Sequence, residues 1–123
     1  MKRLTLVLVA VVLVFATAVY ADGDGKSDEG SWTGEVVDLA CYVAKGAHGP
    51  DHSSCAKSCV KNGQPMGLLT ADGTLVLLAA NHEDGDPYEA LKDLAGGTAE
   101  VMGTLADRDG LKVLTVTSSK AGD

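Results

Sequence analysis

The chain has few aromatic residues and little positive charge. Aromatics make up 4% of its 123 residues, the single Phe falls at position 15, and Trp32 is the single Trp. Ten Lys and Arg stand against 17 Asp and Glu, a formal charge of −7, and the ten are scattered rather than clustered. A surface of this sign repels phosphate backbones and offers few rings for bases to stack on, which argues against nucleic acid as a partner. Cys-x-x-Cys is also missing, so neither a thioredoxin-type redox motif nor covalent attachment of a c-type haem is available. No Ser-His-Asp arrangement, phosphate-cradling glycine loop or paired carboxylates can be read, and no small-molecule substrate is identifiable. An enzyme is therefore the least supported class.

The N-terminus carries the one long apolar run. "MKR" gives a positive start, "LTLVLVAVVLVFA" an uncharged core, and "ATAVYA" a small-residue end. This pattern predicts a secretory signal peptide over residues 1–21, cut after Ala21 or Ala18, and an exported protein, periplasmic or extracellular. The alternative is an uncleaved anchor, since Leu4 to Ala21 is near the lower length limit for spanning a bilayer. Cleavage after Ala21 removes Lys2 and Arg3, leaving 102 residues with a charge of −9, enough for one domain with a modest core. Residues 22–31, "DGDGKSDEGS", lack any apolar side chain and predict a flexible acidic leader. They do not form a calcium loop, because Lys26 and Thr33 occupy the fifth and twelfth positions, where ligands would be needed.

Residues 32–119 alternate between apolar runs and turn signals, with a short tail at 120–123. "SWTGEVVDLACY" predicts the first strand. A helix follows from about Asp51–Ser53, good capping residues, to Asn62-Gly63. "QPMGLLTADGTLVLLAA" predicts a hairpin about Asp72-Gly73. A second helix is expected from Asp86 and Pro87 to Gly96-Gly97, and a second hairpin about Asp109-Gly110. Five strands with a helix between the third and fourth predict a mainly β, OB-fold-like five-stranded Greek-key barrel. It would carry two short helices, one of them in the loop between strands 1 and 2. Tyr42 and Tyr88 are expected to pack the barrel. His82, Glu83, Asp84 and Asp86 read as a solvated loop ahead of the second helix rather than a cation site.

"DHSSCAKSCVKNG" concentrates the chemistry. On a helix, His52, Cys55 and Cys59 fall at i, i+3 and i+7, on one stripe. Cys41, expected at the end of strand 1, is the natural fourth group. Three thiolates and an imidazole suit zinc, and copper(I) would accept a subset; His48 and Met66 are possible additional ligands. An exported chain also meets oxidising conditions, so Cys41 paired with Cys55 or Cys59 is the alternative. Such a bridge would close a loop of about 15 to 19 residues and stabilise by roughly 3 kcal/mol. Cys55 and Cys59, one turn apart, are badly placed to pair without distorting the helix. A staple uses two cysteines and leaves one thiol and His52 unexplained.

"GEVVDLACY" followed by "HSSCAKSCVKNGQPMGLL" resembles a group of small exported bacterial proteins that carry Cys, then His-x-x-Cys-Ala-x-x-Cys, then a glycine turn into an OB-like barrel. The matching positions are Cys41, His52, Cys55, Ala56, Cys59 and Gly63, and the resemblance covers residues 34 to about 118. It implies a fold and an envelope location and names no activity. The expected role is a non-enzymatic metal-binding or redox accessory protein. The alternative is a disulfide-stapled module that binds an envelope protein or redox complex.

Overall fold

The computed structural model describes residues 26–123; the signal peptide expected over residues 1–21 and residues 22–25 of the expected leader lie outside them. Five strands and three helices follow in order: β1 (Ser27–Asp38), α1 (Leu39–Lys45), α2 (Ser53–Lys61), β2 (Met66–Thr70), β3 (Leu75–Ala80), α3 (Asp86–Leu91), β4 (Thr98–Arg108) and β5 (Leu111–Ala121). The strands close into a barrel of order β1-β2-β3-β5-β4, the OB-like arrangement expected. All neighbours are antiparallel except β3 and β5, which run parallel from Leu77↔Val113 to Ala80↔Val116. Both hairpins turn where expected, with Gly73 and Gly110 at positive φ. No helix among the described residues is long and apolar enough to cross a membrane.

Closure depends on β1 serving two neighbours. Its first half pairs with β4, from Ser27↔Ala106 to Glu35↔Thr98, and its second half with β2, from Gly34↔Thr70 to Asp38↔Met66. The strand therefore begins at Ser27, inside the segment expected to be a flexible leader. "SDEGS" has nothing to bury, and its order comes from the ladder that β4 offers, which no local propensity reveals.

The core is formed by alternate residues of each strand, including Val36, Leu68, Val76, Leu78, Val101, Leu114 and Val116. Helix α2 closes one side with Ala56 and Val60, spaced four apart, and Leu91 of α3 is fully buried. Tyr88 packs against this cluster as expected, whereas Tyr42 lies edge-on to His48, 5.6 Å between ring centroids.

Strand β1 also ends earlier than its apolar run suggested. Asp38 caps a helix that sequence reading had folded into the strand: its Oδ1 accepts from the backbone N–H of Ala40 at 3.0 Å and of Cys41 at 3.3 Å. "LACYVAK" then runs helically until Gly46, at φ 68°, ends it. Leu and Ala are good helix formers, and an aspartate at the junction gives the orphan N–H groups an acceptor. Cys41 consequently sits in the first turn of α1, not at the end of a strand.

Candidate metal centre

Three structural joints bring the candidate ligands together. The first is the end of β1, fixed by pairing of Asp38 with Met66 and by the Leu39 N–H donating to the Pro65 carbonyl at 3.0 Å. The second is the turn before α2. Glu35 of β1 accepts from His48 Nδ1 at 2.9 Å through Oε2 and from the Gly49 N–H through Oε1, which pins the loop three residues ahead of His52. The third is Gly96, whose backbone packs on Ser53 so closely that a Cβ there would lie 2.4 Å from the Ser53 Cα. A single turn over Pro50–His52 leads into α2, so His52 stands at the helix start and not within its regular turns.

The result is a compact donor set. One ligand atom each from Asp38, Cys41 and His52 lies within 4.8 Å of the others, close enough to hold a metal ion. Asp38 is 1% exposed, the one buried charged side chain among the described residues. Its second oxygen, Oδ2, is buried with no hydrogen-bond partner, and so is His52 Nε2. A buried carboxylate oxygen and a buried imidazole nitrogen left bare each cost free energy unless something replaces the lost water. Both belong to the same three-residue cluster.

Electrostatics around Asp38 favour its anion. Burial works to raise its pKa, but contacts with the Cys41 thiol and N–H, the Cys59 thiol and the Ala40 N–H outweigh burial and hold the carboxyl below its ordinary value. The reciprocal effect falls on the sulfurs. Contact with Asp38, then burial, raises the pKa of Cys41, and the same order of causes pushes Cys59 up to about 12. A bound dication would reverse that balance, because positive charge beside a thiol favours the thiolate.

The expected ligands are thus distributed unevenly. Cys41 and His52 belong to the cluster, and Cys59 reaches the Asp38 carboxylate from α2. Cys55 is exposed and lies 4.1 Å from Cys59. His48 is engaged with Glu35, and Met66 is fully buried in the hydrophobic core. All three cysteines are free, so the Cys41 staple to Cys55 or Cys59 is not formed. In the loop that carries His82 and the acidic residues, Asn81 accepts from the Glu83 N–H and Asp84 from the Asp86 N–H, local turns that shape the entry to α3.

Sequence reading missed Asp38. Its signal was present: one aspartate inside "VVDLACY", three residues before a cysteine, where a polar residue in an apolar run marks either a cap or a ligand. It serves as the one and is placed to serve as the other. No protein-family model matches the chain, and no match is found among curated proteins or solved structures.

Proposed function

We propose that the protein is a small exported metal-binding accessory protein, and that Asp38, Cys41 and His52 hold the ion. One observation carries this reading. Asp38 Oδ2 and His52 Nε2 are both buried and both bare, in the same cluster as a cysteine sulfur. A metal would satisfy both atoms at once, whereas without one His52 Nε2 has no partner and the Asp38 carboxylate has only thiols, weak donors, beside its two N–H contacts.

The donor chemistry favours zinc. Carboxylate oxygen, imidazole nitrogen and thiolate sulfur are all ordinary zinc ligands, and Cys59, beside Asp38 though outside the three-residue group, is the candidate for a fourth. Copper(I) prefers soft donors and would make poor use of the carboxylate. With Cys59 as the fourth ligand the site would be closed, which suits storage, transfer or structural support, not hydrolysis. Export accords with the N-terminal "MKR" and apolar run, and an envelope partner that receives the ion is the natural extension.

Titration of the mature, reduced protein with cobalt(II) tests the site. The expected result is one equivalent bound per chain, with the intense visible spectrum of tetrahedral cobalt bound through sulfur, displaced by zinc. His52→Ala should weaken binding by at least the 10- to 100-fold typical of losing even an outer partner of a metal ligand. Non-saturating binding, or a spectrum indifferent to His52, would refute the assignment.

A further inference from the structure

Cys55 plays no part in the cluster of Asp38, Cys41 and His52, yet it is not isolated. The thiols of Cys55 and Cys59 lie 4.1 Å apart on one face of α2. Their surroundings differ: Cys55 is exposed, while Cys59 is half-buried against the carboxylate of Asp38. A disulfide approaching from outside reaches the first sulfur more readily than the second. Thiol–disulfide exchange requires a reachable thiol that can ionise to attack, and a second thiol within reach of it can resolve the mixed disulfide.

The helix itself argues against a permanent bridge between them and in favour of a reversible one. Partners at i and i+4 of a regular helix meet the geometry of a disulfide, about 2.05 Å between sulfurs, only with distortion. Cys59 sits in the last turn of α2, where that distortion is least costly. The Asn62 N–H already divides itself between the Ser58 and Cys59 carbonyls, at 3.1 Å each, and the Gln64 N–H returns to the Cys59 carbonyl at 3.1 Å. Strained bridges are the readily reduced, labile ones.

We propose that Cys55 and Cys59 form a redox-active dithiol that exchanges electrons with accessible disulfides, Cys55 attacking and Cys59 resolving. The Cys55 thiolate attacks one sulfur of the incoming disulfide, forms a mixed disulfide and releases the first thiol of the partner. Cys59, passing its proton to the Asp38 carboxylate it touches, then attacks the Cys55 sulfur, closes the Cys55–Cys59 bridge and releases the second thiol. The chain loses two electrons, the partner disulfide gains them, and the two thiol protons leave with the released thiols. Cys41 stays reduced throughout. This activity rests on the thiol geometry and does not require that an ion bind; in the bridged state Cys59 has no thiolate to give to one.

Equilibration of the metal-free full mature chain in glutathione buffers, followed by thiol counting and peptide mapping, tests the proposal. The expected product is one Cys55–Cys59 bridge with a single remaining thiol at Cys41, fully reversed by reduced glutathione. Cys55→Ser, a change at an exposed position, should abolish the bridge and still bind cobalt through Asp38, Cys41 and His52. A bridge that uses Cys41, or three thiols persisting at every glutathione ratio, would overturn it. Cobalt binding without the bridge would refute this proposal alone, and the bridge without cobalt binding would refute the metal reading alone.

Discussion

Asp38 caps a helix with one carboxylate oxygen and leaves the other bare, and these two roles can be separated by substitution. Asparagine keeps an acceptor for the Ala40 and Cys41 N–H groups and is as good a cap as aspartate; alanine removes the acceptor altogether. Without metal, Asp38→Ala should therefore lose about 1 kcal/mol, read from the denaturant midpoint, while Asp38→Asn stays within roughly 0.5 kcal/mol of the parent. Both should bind cobalt poorly, because neither offers the anionic oxygen. Equal loss of stability in the two variants would show that the cap is not what Asp38 contributes. At this scale the sequence was half legible. His52, Cys55 and Cys59 announced themselves by spacing, whereas Asp38 did not. Its burial comes from pairing with Met66, 28 positions along the chain, which no local pattern encodes.

At the scale of elements, the centre depends on where α2 begins. Gly96 sets this from a distance: its φ is +80°, and the absence of a Cβ lets the turn after α3 lie directly on Ser53. The Gly96 N–H donates to the Val36 carbonyl at 2.7 Å, and the Val36 N–H to the Gly97 carbonyl at 2.9 Å, so the same turn is tied to β1. Gly96→Ala meets both the left-handed backbone and the contact with Ser53. It should destabilise by about 1–3 kcal/mol in chemical denaturation and weaken cobalt binding through the displaced His52. Gly85→Ala, at φ −86° with no neighbour within 4 Å, is the control and should be neutral or slightly stabilising. An undiminished cobalt affinity in Gly96→Ala would detach the turn from the site. The glycine pair was legible as a helix stop; its second use, as the seat of another helix, was not. Helix α1 was hidden for a related reason. "VVDLACY" is an unbroken apolar run apart from Asp38, and a short run of that kind does not distinguish strand from helix.

For the molecule as a whole, the barrel was legible and its limits were not. Both hairpins carry Asp-Gly at the turn, α3 has Pro87 in its first turn, and alternation of Leu114 and Val116 with more exposed residues sets the inner face of β5. The strand order follows from these signals because few topologies accommodate them. The ordered Ser27–Ser31 stretch was invisible, since its pairing with β4 depends on the barrel already being closed.

The barrel also makes metal binding a property of the folded state. Asp38 comes from the end of a strand, Cys41 from one helix and His52 from the start of another, so the three donors converge when the fold is complete. Ligands that bind the native state alone stabilise it by mass action. The most direct measurement is the denaturant midpoint of the reduced protein with and without zinc, for the parent chain and for His52→Ala and Asp38→Asn. All three keep every cysteine, so zinc binding by unfolded chains through thiols is matched among them. At free zinc about 100 times the dissociation constant, the parent should gain about 2.7 kcal/mol, and both variants should gain far less. A parent midpoint that zinc leaves unmoved, or the same gain in all three proteins, would contradict a metal centre at Asp38, Cys41 and His52.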